Sequence, residues 1–259
     1  MQRVKLLRDE LKELDKLKLT EKGMLSFTGL PVMDYAFFPG GNGLYNGIAA
    51  RETPFNGVLI LGSDFGCSTK FVDESGKLVN KKSDERGGPT WKPMLSLLSQ
   101  TPIDCNECFY SNAWPVLHLP SGKNGDSNDN PPVDIWLRDT KLMDSCKSFF
   151  RFTLKTMNPR LVIALGKGPA AFLGEFWPNN LGLWRFSPER KWDTFSWNDL
   201  DKVFLETASS DAHRVTCVAI THPSKSRLNA RHRKPPYQGI EGEIKLLTEA
   251  ARIAGIVKK

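Results

Sequence analysis

No apolar run in the chain approaches the roughly 20 residues that a membrane-crossing helix needs, so a membrane partner is not expected. Nor is the charged start of the chain followed by the apolar core and small-residue cleavage site of a secretory leader. An intracellular protein is expected, cytoplasmic, and nucleoid-associated or nuclear according to the cell. Cysteine is sparse. Cys67, Cys105, Cys108, Cys146 and Cys217 are odd in number and scattered, which argues against a disulfide scaffold and for a reducing compartment. Histidine is sparser still, with four residues, and only His118 lies near the one metal-like pair, Cys105 and Cys108. Zinc and iron–sulfur sites need a second matched pair, so two ordinary thiols are the better account and no metal is expected.

What is present is a globular composition. With 40% hydrophobic residues among 259, the chain buries a substantial core, as one large domain or two small ones. We expect a monomer with a single domain over 1–259, an N-terminal helix over 1–20 and a tryptophan-rich insertion over about 176–212. The net charge is +7 and the pI is near 9.1, which points to a polyanionic partner, nucleic acid first.

The chain turns on the stretch from Gly57 to Gly66, GVLILGSDFG. Val58 to Leu61 form the unbroken apolar run of a strand buried on both faces, as in a parallel sheet covered by helices. The turn after it delivers one carboxylate, Asp64. Ligands of open α/β sheets sit at the carboxyl ends of strands, which places Asp64 for chemistry; capping the turn is an equal account on local grounds. A second run, Cys108 to Trp114, carries Asn112 ahead of Pro115, an amide that either closes a turn or meets a planar ligand edge.

Leu161 to Leu165 make a third strand, followed by Gly166, Lys167 and Gly168 at the start of a helix. Such glycines suit an anion held at free amides, or close strand-to-helix packing, which is the stronger account of so short a motif. The fourth strand, Val215 to Ile220, leads to His222 and then to Ser224, Lys225, Arg227, Arg231, Arg233 and Lys234 without one acid. A solvated basic loop is the usual reading of such a run. Beside a sheet edge that carries Asp64 and Asn112, phosphate contact is favoured.

Apolar spacing predicts helices over Gln2 to Leu19, where Val4, Leu7, Leu11 and Leu14 recur, and over Pro89 to Leu98. A long helix should bury Leu142, Cys146, Phe149, Phe150 and Met157, and a last one should put Ile240, Ile244, Leu247, Ala251 and Ala254 on one face. Trp177, Trp184, Trp192 and Trp197 fall between Phe176 and Arg214, where a cap with a helix from about Asn198 to Thr207 is expected. These tryptophans either stack on bases or cover the core, the latter being the stronger account.

Three strand ends thus carry GSDFG, SNAWP and HPS, in that order. With an apolar strand before each, LVIALG between them and a basic tail after the last, the chain resembles the uracil-DNA glycosylase superfamily from roughly Leu25 to the C-terminus. The resemblance implies a three-layer α/β/α sandwich around a four-stranded, mainly parallel sheet, with DNA across the strand ends. It implies a target nucleotide flipped out of the duplex, at a cost on the order of a few kcal/mol. By the same resemblance Asp64 orients the attacking water and its charge stabilises an oxocarbenium-like sugar. Asn112 then reads the pyrimidine edge, and His222 donates a hydrogen bond to the base oxygen that becomes negative. No metal or organic cofactor is implied, and DNA is the partner.

Some positions depart from the family pattern. Phe65 stands where proline is usual, and either Phe65 or Phe71 supplies an aromatic face beside the base. Gly66 stands where uracil-restricted members carry a tyrosine that blocks the methyl of thymine, which leaves room at the pyrimidine 5-position. Ser226 falls at the wedge position where some relatives have leucine, and Arg227 or Leu228 just beyond it is expected to enter the helix. The leading expectation is a monofunctional DNA glycosylase of base-excision repair, removing uracil by default. Beside it stand a glycosylase for 5-modified pyrimidines such as those of phage DNA, acting in defence, and a DNA or damaged-base binder without turnover. A small-nucleotide enzyme using the turn from Gly166 to Gly168 is a further reading.

Overall fold

A computed structural model describes residues 2–17, 19, 24–25, 55–64, 91–118, 133–185, 204–207, 214–225 and 229–257. The strands are β1 (Met24–Leu25), β2 (Val58–Gly62), β3 (Phe109–Asn112), β4 (Leu117–His118), β5 (Leu161–Leu165), β6 (Phe204–Thr207) and β7 (Arg214–Ile220). The α-helices are α1 (Gln2–Leu11), α2 (Trp91–Leu98), α3 (Val133–Arg138), α4 (Thr140–Met157), α5 (Lys167–Phe176) and α6 (Gly239–Ile253). Among the described residues no helix is long and apolar enough to cross a membrane.

The chain gathers into two compact units, the first from Met1–Thr53, Asp64–Gly87 and Ser111–Met157, the second from Pro54–Ser63, Gly88–Tyr110 and Asn158–Lys259. In the first, α1 packs on α4. Leu7, Leu11 and Leu14 are buried as their spacing predicts, though the α-helix stops at Leu11 and a 3-10 turn, Lys12–Lys16, continues it. Along α4 the expected five, Leu142, Cys146, Phe149, Phe150 and Met157, all face inward. β1 and β4 pair antiparallel, with Met24 opposite His118 and Leu25 opposite Leu117.

Strands β2, β5, β6 and β7 lie in the second unit, in a sheet of strand order β3-β2-β5-β7-β6. β2 and β5 run parallel, Val58 beside Leu161 and Leu61 beside Ala164, and β7 continues the parallel set, Leu161 beside Thr216 and Leu165 beside Ile220. Every residue of β2 and β5 is buried, which is why both read as unbroken apolar runs. Each Val, Leu or Ile so enclosed contributes about 1.5–3 kcal/mol, and α5 and α6 supply part of the cover by packing on β5 and β7. The protein is thus an α/β protein with a largely parallel sheet.

The tryptophan-rich segment departs from its expected helix. Phe204–Thr207 is a strand, β6, paired antiparallel with β7, and it makes the sheet five-stranded where four strands were expected. A four-residue edge strand has no long apolar run to announce it. Trp177 and Trp184 are buried, and Gly174 lies so close to Trp184 and Arg185 that a side chain there would collide with their backbone. Trp192 and Trp197 lie outside the described residues.

The two ends of the parallel strands are treated differently. At the amino ends Arg160 acts as a clamp: its guanidinium donates to Gly255 O at 2.8 Å and to Asn56 O at 3.1 Å, while its backbone N–H donates to Gly57 O. At the carboxyl ends β2, β5 and β7 open into turns that begin at Ser63, Gly166 and Thr221, along one edge. That edge is where an α/β sheet places its ligands.

Candidate active site

The turn after β7 is held from behind. Glu243, on α6, is fully buried and accepts from Thr221 twice, from the backbone N–H at 2.7 Å and from Oγ1 at 2.8 Å. Arg233 completes the network, donating from Nε to Glu243 at 3.2 Å and from Nη2 to Ala219 O at 2.7 Å. Burial pushes the Glu243 carboxyl above its ordinary range, and the Arg233 charge and the Thr221 hydrogen bonds oppose that shift. Thr221 is therefore held by the carboxylate directly, and Ala219, on the other side of Ile220, through Arg233.

Arg233 must be removed from the expected DNA contacts. It is 1% exposed, and its guanidinium is engaged inside the unit by a carboxylate and a carbonyl. A buried guanidinium, which cannot shed its proton, needs such partners, and a run of cations in sequence does not reveal which member has them.

His222 follows directly and is half-buried. Its Nδ1 and Ser224 Oγ are 2.8 Å apart; the hydroxyl donates to Nδ1 when the ring proton sits on Nε2 and accepts when it sits on Nδ1. Pro223, Ser224 and Lys225 form a 3-10 turn that closes with Lys225 N–H donating to His222 O at 2.8 Å. Ser224, Lys225 and Arg231 are exposed.

Gly166 packs against this histidine. Its φ of +94° is a conformation that L side chains rarely adopt, and a Cβ built there would stand 3.3 Å from His222 Cβ. Its N–H donates to Ile220 O at 2.8 Å, so this amide ties β5 to β7 instead of facing an anion. Gly168 is buried at the start of α5 and Lys167 half-buried, which accords with the packing account of the glycines.

Asp64 lies two residues beyond the end of β2 and is half-buried. Just before it, Ser63 Oγ is buried and has no hydrogen-bond partner among the described residues. Asn112 is the last residue of β3 and is 2% exposed. Asp64 and Asn112 belong to the first compact unit, whereas His222, Ser224, Lys225, Arg231 and Gly166 belong to the second. Phe65, Gly66, Phe71, Arg227 and Leu228 lie outside the described residues.

No protein-family model matches the chain, and no curated protein is similar to it. The chemistry has to be read from the side chains. Among the described residues no group of three or more His, Cys, Asp or Glu is placed to hold a metal ion. Cys108 Sγ donates to Asp104 O at 3.2 Å, and burial pushes its thiol up, which suits a structural sulfur better than a ligand. What remains is a half-buried imidazole with one ring nitrogen fixed by a hydroxyl, on an anchored turn with exposed cationic and hydroxyl groups. Such a group can present a hydrogen bond in a set direction, which is what a leaving group with developing negative charge requires.

Glu243 and Thr221 did not figure among the candidate residues. A signal for Glu243 was available. The buried face of α6 is Gly242, Glu243, Leu246, Leu247, Ala250 and Ala251, so this glutamate occupies a position on the apolar stripe.

Proposed function

We propose that the protein is a DNA glycosylase that hydrolyses the N-glycosidic bond of a pyrimidine nucleotide extruded from DNA, uracil by default, leaving an abasic site for base-excision repair. The observation that carries this reading is the fixed imidazole of His222 on the turn Pro223–Lys225, with Ser224 at 2.8 Å and exposed cationic side chains beside it. The parallel set β2, β5 and β7, opening along one edge into turns that begin at Ser63, Gly166 and Thr221, supports it. In this reading the α/β architecture is that of the α/β/α sandwich of the uracil-DNA glycosylase superfamily.

The roles follow from charge. As the glycosidic bond breaks, its electron pair leaves with the base, and the sugar becomes positive at C1′. Asp64 stabilises that cation and orients the water whose oxygen bonds to C1′. Asn112 recognises the pyrimidine edge with its acceptor and donors. His222 donates to the base oxygen that becomes negative, a contribution of about 3–4 kcal/mol for one well-aimed donor. Lys225, Ser224 and Arg231 contact phosphates, which helps offset the cost of flipping.

Gly66 favours a second substrate range within the same chemistry. With no side chain at the position where a tyrosine excludes 5-substituents, 5-modified pyrimidines, including those of phage DNA, enter the pocket as well. The test is release of free base from oligonucleotides carrying uracil, other pyrimidine lesions or 5-modified cytosine. Alkali-labile strand breaks should appear with the wild type and fall at least a hundredfold for Asp64→Asn and for His222→Ala, on the order of what a lost transition-state donor costs. Tight, salt-sensitive DNA binding with no base released from any of these substrates would identify a binder in place of an enzyme.

A further inference from the structure

Helix α2 has no part in the roles above, yet it forms one wall of a cavity of about 430 Å³ whose other wall is the turn Pro223–Lys225. Lys92, Ser96 and Gln100 recur at intervals of four along α2 and the turn after it, so they share one face, and all three line the cavity. Opposite them stand Thr221, Ser224 and Lys225. Among the described residues no aspartate or glutamate lines it. Neither the Lys92 nor the Lys225 ammonium group has a hydrogen-bond or ion-pair partner among the described residues, and both side chains are exposed. Gln100 is steadied by its Nε2 donating to Ser96 O at 2.9 Å.

Two unpartnered ammonium groups, hydroxyls and a carboxamide around an open space, with no competing carboxylate among the described residues, match an anion rich in acceptor oxygens. We propose that this cavity binds a phosphate group, which in the glycosylase reading on which the inference rests is a phosphodiester of the DNA strand beside the flipped nucleotide. Lys92 and Lys225 close on it from opposite walls. Ser224, whose Oγ lies 2.8 Å from His222 Nδ1, links the occupied cavity to the imidazole. Helix α2 thereby becomes part of the DNA-binding surface.

The test is the affinity of the full chain for a uracil-containing duplex across a range of salt concentrations, comparing Lys92→Ala with Lys245→Ala. Lys245 is an exposed lysine on α6 that does not line the cavity, so the two variants change charge equally. Losing one phosphate contact should lower the slope of log affinity against log salt by about 0.9 for Lys92→Ala and leave it unchanged for Lys245→Ala. If the wild type binds DNA and the two variants behave alike, the cavity is not a phosphate site, and the glycosylase reading is untouched. If the wild type binds no DNA, the glycosylase reading fails, and inorganic phosphate and pyrophosphate decide the cavity by thermal denaturation. Stabilisation seen in the wild type and absent in Lys92→Ala keeps a phosphate site filled from free phosphate; no stabilisation overturns it.

Discussion

Glu243 and Thr221 are joined by two hydrogen bonds, one to the backbone N–H at 2.7 Å and one to the side-chain hydroxyl at 2.8 Å, and Thr221 is the residue before His222. The carboxylate also accepts from Arg233. Replacing Glu243 with alanine leaves three buried donors without an acceptor, each costing about 1–3 kcal/mol, one of them a charged guanidinium. We expect Glu243→Ala to destabilise the protein by about 3–5 kcal/mol in urea denaturation. Glu243→Gln keeps a carbonyl oxygen in place and should cost much less. Base release should follow a different order: where Glu243→Gln is folded, any slowing measures how well Thr221 still sets the His222 turn.

The same carboxyl predicts a pH dependence. Burial raises its folded-state pKa above the ordinary carboxyl range, and Arg233 and Thr221 only partly offset this. Below the unfolded value the group is protonated in both states, and its contribution to stability is complete. As pH rises through the raised folded value, ionisation is easier in the unfolded chain, and the contribution is lost. The stability of the wild type relative to Glu243→Gln should therefore fall from its acid limit as pH rises through that window, and then level off. A difference that grows with pH would mean that pairing with Arg233 outweighs burial.

Much of this arrangement was legible in the chain, and its limits are physical. β2, β5 and β7 announce themselves because strands buried on both faces must be apolar throughout, and the turns after them hold the candidate residues for the same topological reason. Arg233 was misplaced and Glu243 passed over because a buried ion pair looks, residue by residue, like solvated surface; only the fold reveals that Ala219 O and Thr221 N–H lie beside them. Of the stripe expected on α6, Leu247 and Ala251 are buried, whereas Ile240, Ile244 and Ala254 are half-buried and Glu243, Leu246 and Ala250 complete the buried face in their place. Treating every glutamate as polar turned the helix by part of a turn.

Gly166 offers a test of how tightly the imidazole is placed. Its φ of +94° with ψ of −179° suits glycine, and a methyl there would press on His222 Cβ at 3.3 Å. Gly166→Ala should cost about 1–3 kcal/mol of stability from backbone strain. Base release should drop by more than the folded fraction accounts for, because the histidine must shift by a few tenths of an ångström. Lys245→Ala, at an exposed position on α6, changes charge without entering this contact and should leave both quantities nearly unchanged. Equal effects from the two variants would sink the claim that Gly166 positions the ring.

Ser63 separates stability from function in the opposite direction. Its hydroxyl is buried and without a hydrogen-bond partner among the described residues, and it sits between the end of β2 and Asp64. A buried hydroxyl left unpaired costs about 1–3 kcal/mol, so removing it relieves a penalty. Ser63→Ala should be neutral to about 1 kcal/mol more stable in urea denaturation. In the glycosylase reading that hydroxyl meets a sugar, phosphate or water oxygen of the substrate beside Asp64, and base release should slow in the same variant. A loss of stability on making the change would show that the hydroxyl already has a partner, and the argument for a ligand at this serine would fall with it.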